Sequence, residues 1–227
     1  MKISVLIPVY NERHTIEQVL LEVEKVPVEK EIIVIDDGST DGTRQLLENI
    51  HRNKKNHFKV IFLEKNRGKG YAIRCGLKEA KNDFVIIQDA DLELNPNDYL
   101  KLINAIKTEN CQVVYGSRFL GKTNTSLPLL SILANKFLTS FTNLVFNAKL
   151  SDMETCYKLC PRKLLQSLNL TSERFEIEPE ITCKILKQGY KIKEIPISYS
   201  PRKKGKKIGW KDGFKAIFSI LKYRIIK

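Results

Sequence analysis

Histidine is scarce in this chain of 227 residues: there are three. With so few, and with no G-x-S-x-G, a hydrolase triad has little support. No G-x-x-x-x-G-K-[ST] run occurs, which excludes a P-loop. Asn66-Arg67-Gly68-Lys69-Gly70 lacks the spacing of the dinucleotide fingerprint and follows the third predicted strand, not the first. The five cysteines (Cys75, Cys111, Cys156, Cys160, Cys183) are odd in number and scattered, and no second Cys pair or His cluster completes a zinc site with Cys156 and Cys160. Five reduced thiols in a cytosolic protein are expected. Internal repeats, low-complexity stretches and Gly/Ser linkers are missing too. Met1 leads straight into Ile3–Val9, an apolar run too short for the core of a secretory leader, so none is expected. What remains is 42% hydrophobic and 29% charged, which excludes a mostly disordered, collagen-like or disulfide-rich chain. The length suits one domain, or one domain with an appendage.

The charge is uneven. From Lys184 to Lys227 there are 14 basic residues against two acidic ones, Glu194 and Asp212, so this end carries +12 of the chain's net +13. A nearly neutral body therefore ends in a strongly basic segment. Nucleic acid, an anionic membrane surface or a phosphorylated substrate would each suit it, and so would a plain solvated tail.

Short Val- and Ile-rich runs predict strands at Ile3–Val9, Glu31–Asp36, Phe58–Leu63, Phe84–Asp89 and Gln112–Arg118. Helices are predicted between them, at His14–Lys25, Thr43–His51, Lys69–Lys81 and Pro96–Lys107. This alternation argues for an α/β, doubly wound, mostly parallel sheet, in which ligands sit outside the carboxyl ends of the strands. Further on, Leu129–Leu144 carries a one-sided apolar stripe interrupted by Asn135, Lys136 and Asn143, a helix but not a membrane span. Phe175–Gln188 reads as a helix and Lys191–Tyr199 as a strand. Phe214, Ile217, Phe218, Leu221 and Ile225 form the apolar face of a final helix flanked by Lys211, Lys215 and Lys222.

Three loops could carry chemistry. Pro8-Val9-Tyr10-Asn11-Glu12, after the first strand, offers a proline, a ring and an acid that could hold a base and ribose. Asp36-Asp37, after the second, crowds two carboxylates whose repulsion needs a ligand or donor to offset it. After the fourth, Asp89, Asp91 and Glu93 alternate. If the chain stays extended they point the same way and could converge on Mg²⁺ or Mn²⁺, which could stabilise a departing diphosphate.

Together "IIVIDDGSTDGT", "NRGKGYAIRCGL" and "QDADLELNP" resemble family 2 glycosyltransferases of the GT-A fold. "YGSRF", "DMETCYKL", "RFEIEPEIT" and "PRKKGKKIGWKDG" look like the polyprenyl-phosphate (dolichyl-phosphate) mannosyl- or glucosyltransferase branch. The resemblance spans nearly the whole chain with its motifs in order. It implies that Pro8, Tyr10, Glu12 and Asp37 hold the nucleoside. It implies that Asp89, Asp91 and Glu93 bind the metal and donor diphosphate. Arg118 would lie near the transferring sugar or acceptor phosphate, Asp152 at the position of a proposed catalytic base, and Glu178 in the sugar or acceptor site. Arg202, Lys206 and Lys207 would clamp phosphates. On this reading residues 1–210 form the transferase domain, 1–118 the nucleotide-sugar half and 119–210 the acceptor half, and 211–227 a basic amphipathic helix. The chain departs from some relatives in having no basic residue in Ser126-Leu127-Pro128-Leu129-Leu130.

The function this implies is inverting, metal-dependent transfer of a hexose from GDP-mannose or UDP-glucose to a polyprenyl monophosphate. Such an acceptor is largely anionic at pH 7, so it needs cations to position it more than a base to activate it. An acceptor hydroxyl on a glycan, the alternative, would require a carboxylate base. A sugar nucleotidyltransferase would want a Gly-rich loop with a basic residue after strand one, which is missing. A non-enzymatic binder would have no use for the strand-four acids. The expected partners are a nucleotide sugar, a polyprenyl-phosphate lipid, an anionic membrane surface and a membrane-protein subunit, with no nucleic acid. The expected location is the cytoplasmic face of a membrane, peripherally.

Overall fold

Seven strands form one sheet in the order β3-β2-β1-β4-β6-β5-β7 in the computed structural model, which describes residues 1–53, 58–109, 111–121, 129–202 and 210–225. The strands are β1 (Ile3–Val9), β2 (Lys30–Asp36), β3 (Lys59–Phe62), β4 (Phe84–Ile87), β5 (Val113–Ser117), β6 (Lys158–Pro161) and β7 (Ile192–Pro196). β1 pairs in parallel with β2 and β4, and β5 with β7; β6 is antiparallel to both its neighbours. The central strands are apolar on both faces: Val5, Leu6 and Ile7 of β1 and Ile33, Val34 and Ile35 of β2 are all buried.

The helices α1 (Ile16–Lys25), α2 (Thr43–Asn53), α3 (Lys69–Glu79) and α4 (Tyr99–Thr108) connect the first strands. Asn95 starts the last connection, its side chain accepting from the Asn97 N–H, with Pro96 following. Then come α5 (Leu129–Phe146), α6 (Arg162–Ser167), α7 (Ile177–Lys187) and α8 (Trp210–Ile225). Sequence patterning misses β6 and α6. β6 is four residues long, too short to show a period, and it is a strand because Val85 and Val114 flank it in the sheet.

A second, smaller core joins Leu138 of α5, Leu150, Met153, Cys183 of α7 and Ala216, Ile220 and Tyr223 of α8. The apolar stripes predicted for α5 and α8 are mostly not the sides that dock. Leu130, Leu133, Phe137 and Leu144 on α5, and Phe214, Phe218, Leu221 and Ile225 on α8, are exposed. Both helices have apolar residues on more than one side, so periodicity alone could not select the docking face. By length and composition α5 is apolar enough to cross a membrane, with a mean hydropathy of 1.3. Its Leu138, Thr139 and Thr142 are buried in the domain. All five cysteines are free thiols.

Candidate active site

The carboxyl ends of β1, β2 and β4 bring the three polar loops together. Asp36 and Asp37 are both buried, and the protein itself supplies the offsetting donors. Arg44 Nε donates to Asp36 Oδ2 at 2.8 Å. Asp37 accepts from Asn66 Nδ2 (2.9 Å) and from the backbone N–H groups of Arg67 (2.9 Å) and Gly68 (2.7 Å). Burial still raises the Asp37 carboxyl, despite those bonds. Asp37 thus shapes the Asn66–Gly70 loop. Gly68 is required there: its φ is +103°, and a Cβ would sit 2.5 Å from the Glu173 carbonyl oxygen.

That loop delivers Lys69, to which the sequence reading gave no role. Lys69 Nζ lies 2.7 Å from Asp89 Oδ1 and 2.9 Å from Glu178 Oε1. Glu178 is also paired with the buried Lys158. Burial alone would lower Lys69, but Asp89, Cys156 and Glu178 outweigh it and hold the ammonium well above its usual range. Lys69 in turn outweighs the burial of Asp89 and keeps that carboxyl below the usual range. The line Asp89–Lys69–Glu178–Lys158 therefore alternates in sign as it runs from a half-buried end at Asp89 to the buried Lys158.

Asp89, Asp91 and Glu93 do not converge as an extended chain would make them. β4 ends at Ile87 and the loop turns, with Leu92 at φ 61°. Gln88 anchors the turn: its Oε1 accepts from the Tyr99 and Tyr157 hydroxyls, and its Nε2 donates to the Asp89 carbonyl. Asp89 leans to Lys69, while Glu93 accepts from the Tyr199 hydroxyl at 2.6 Å. Among the described residues no three His, Cys, Asp or Glu side chains close on one point to form a metal cage. Two carboxylates one residue apart remain, Asp89 and Asp91. That donor set suits Mg²⁺ or Mn²⁺ completed by substrate phosphates. Asp91 is raised to about 7 by burial and by its neighbours Asp89 and Glu93.

Arg202 crosses this corner. Its Nη1 donates to Glu12 Oε1 (2.9 Å) and Oε2 (3.2 Å), its Nη2 lies 3.6 Å from Asp91, and its backbone N–H donates to Glu93. It therefore links the β1 loop to the β4 loop. On the far side, Arg118 and the fully buried Asp152 form a two-pronged pair: Nε to Oδ2 and Nη2 to Oδ1, both 2.7 Å. The Arg118 backbone N–H bonds to the same carboxylate at 3.0 Å. Glu194 accepts from the backbone N–H groups of Ser151 and Asp152, fixing that turn. Burial opposes the Arg118 charge, but Asp152 outweighs it and raises the guanidinium further. Glu154, a second residue without a sequence signal, is raised to about 7 by burial, with Lys158 and Glu178 the next influences. Its Oε1 is buried without a hydrogen bond among the described residues. Pro8 and Tyr10 are half-buried at the β1 end. Lys206 and Lys207 lie outside the described residues, as does Ser126-Leu127-Pro128.

This order of strands, with acids at the carboxyl edge of the parallel half, is the architecture of the GT-A glycosyltransferases. Glucosyl-3-phosphoglycerate synthase of Mycobacterium tuberculosis, solved with UDP, superposes with a TM-score of 0.77 at 21% identity over 100% of this chain and 81% of that one. The chain belongs to glycosyl transferase family 2, whose model matches residues 4–168. A dolichol-phosphate mannosyltransferase of Pyrococcus furiosus is 30% identical over 235 residues, covering 100% of this chain and 64% of that protein. The glycosyltransferase AglJ of Haloferax volcanii is 28% identical over 204 residues, covering 89% and 64%. The chain thus spans about two-thirds of the length of either relative.

Proposed function

We propose that this chain transfers a hexose from a nucleotide sugar, GDP-mannose or UDP-glucose, to a polyprenyl monophosphate at the cytoplasmic face of a membrane. One observation carries the reading: the acids at Asp89 and Asp91 lie beside guanidinium groups, Arg202 standing 3.6 Å from Asp91 and Arg118 near enough to help keep Asp89 low. A site that must bring two anionic reactants together needs both signs of charge. The dolichol-phosphate mannosyltransferase relative supports the lipid-phosphate acceptor. The UDP complex of the mycobacterial synthase, and its complex with Mn²⁺ and UDP, support the donor and the ion.

Asp91, with Asp89, would hold Mg²⁺ or Mn²⁺; the bound ion would stabilise charge on the departing diphosphate. The chain's own residues do the rest. Tyr10 and Glu12 face the base and ribose, and Asp37 orders the loop beside them. Lys69 keeps Asp89 ionised. Arg118 aligns the acceptor phosphate for in-line displacement at the anomeric carbon, and one displacement inverts configuration. Asp152 keeps the Arg118 fork in that orientation, a positioning role, because a phosphate monoester with a second pKa near 6 already presents an anionic oxygen. Glu178 lines the sugar side, and Arg202, with Lys206 and Lys207, meets phosphate.

The test is a donor panel with Mg²⁺ and Mn²⁺ against a short polyprenyl monophosphate. Release of nucleoside diphosphate together with a prenyl-phosphate hexose is the expected result. Release that depends on a glycan hydroxyl, with none on the lipid phosphate, would overturn the acceptor assignment.

A further inference from the structure

The buried carboxylates Asp36, Asp37, Asp152 and Glu180 are each answered by donors. Arg44 serves Asp36, Asn66 and two backbone N–H groups serve Asp37, Arg118 serves Asp152, and the N–H groups of Thr171 and Ser172 serve Glu180. Glu154 breaks this pattern. Its Oε1 is closed off from solvent and has no hydrogen bond among the described residues. The mechanism above gives this side chain no task. A carboxyl oxygen buried without a partner weakens the fold, and it points to a donor that arrives with a ligand. The residue as a whole is half-buried, so a ligand has access to its carboxyl.

Its surroundings say which ligand. Two residues before it, Asp152 grips Arg118; four residues after it, Lys158 pairs with Glu178. Both pairs act electrostatically on Glu154, so it lies among them. Glu178 in turn stands 2.9 Å from Lys69, and Lys69 stands 2.7 Å from Asp89. Glu178 Oε1 has that ammonium beside it but no hydrogen bond of regular geometry among the described residues. A hexose on a diphosphate held at Asp89 must bring its anomeric carbon towards the acceptor aligned at Arg118. Its ring then passes Glu178 and Glu154. A hexose offers neutral hydroxyl donors, which carboxyl oxygens with spare lone pairs accept.

We propose that Glu154 is a specificity residue for the donor sugar: its carboxyl accepts a hydrogen bond from one ring hydroxyl of the transferred hexose, next to Glu178 on the same side of the ring. The inference rests on the nucleotide-sugar half of the reading above and holds for either class of acceptor. Glu154 then selects among hexoses by the placement of that hydroxyl, because a sugar without it leaves the buried oxygen unpaired.

The test compares kcat/KM for the nucleotide hexose that wild-type protein uses with kcat/KM for its monodeoxy analogues, in wild type and in Glu154→Leu. Wild type is expected to lose at least about tenfold on the analogue that lacks the hydroxyl Glu154 meets. Glu154→Leu is expected to lose a similar factor on the complete donor, and its penalty for that one analogue is expected to shrink below about twofold, since the partner is already gone. The Kd of the nucleoside diphosphate, which lacks the hexose, is expected to stay within about twofold. Penalties that match wild type at every position overturn the proposal, and so does a nucleoside diphosphate Kd that weakens as much as kcat/KM. Should Glu154→Leu misfold, Glu154→Gln keeps the shape and is expected to shrink the same penalty at least about threefold; an unchanged penalty overturns the proposal. If the lipid phosphate is inert and a glycan hydroxyl takes the sugar, the acceptor reading falls and the Glu154 comparison is made with the glycan. A wild-type protein that transfers from no nucleotide sugar overturns both.

Discussion

Both carboxylate oxygens of Asp152 are engaged by one guanidinium, that of Arg118, at 2.7 Å each. The carboxylate is fully buried, and the arginine chain is 13% exposed. Removing one partner strands the other's charge, which costs about 3–5 kcal/mol when such a pair is buried. Asp152→Ala is therefore expected to lower stability by about that amount, read by urea denaturation. Asp152→Asn keeps the shape and one acceptor. It is expected to raise the acceptor KM more than it lowers kcat and to be non-additive with Arg118→Lys in a double-mutant cycle. A fall in kcat alone, with the loss of a pH limb in wild-type kcat, would mark Asp152 as a base instead.

Arg202 holds Glu12 and stands 3.6 Å from Asp91. It acts as an internal cation over the acids that a divalent ion would use. Arg202→Ala is expected to tighten Mn²⁺ binding without nucleotide by several-fold, since a competing charge within about 4 Å is gone. Titration calorimetry with Mn²⁺ alone reads this directly. Weaker Mn²⁺ binding in the variant would show that Arg202 does not compete.

Gly68 has φ +103° and the Glu173 carbonyl where a side chain would start. Gly68→Ala is expected to cost about 2 kcal/mol or more through left-handed strain and that collision. It should also disturb Lys69, its neighbour in the chain. A thermal melt within a degree of wild type would contradict this.

Glu154 titrates at about 7 when folded, against 4.5 for a free carboxyl. The folded state keeps a proton that the unfolded state releases earlier. Stability is therefore greatest below about pH 4.5 as far as this group is concerned, and it falls as the pH rises through 7. Glu154→Gln removes that fall. Between pH 5 and 8 the variant is expected to gain on wild type by up to about 3 kcal/mol, the equivalent of the shift. Parallel stability curves for the two proteins would show that burial does not hold the proton.

Much of the N-terminal part of the sheet was legible because its signals are local. The apolar runs that become β1, β2, β4 and β5 are each bounded by polar turns. The acids at Asp37, Asp89 and Asp91 stand one to four residues beyond the strand ends. The sheet order could not be read the same way. β6 is a strand only between partners more than 40 residues away in the chain. The convergence expected of Asp89, Asp91 and Glu93 depended on an extended backbone, and Leu92 in a left-handed conformation breaks it.

The order of charges along the chain determined that an acidic corner and a basic end must coexist in one domain. Only the folded structure decided which charge answers which. Lys69 reaches Asp89 and Glu178, Arg118 reaches Asp152, and Arg202 reaches Glu12 across 190 residues. Periodicity records which residues are apolar. The choice of buried side on α5 and α8 was made by packing, because Leu138, Ala216 and Ile220 fit the small core and Phe137 and Phe218 were left outside it.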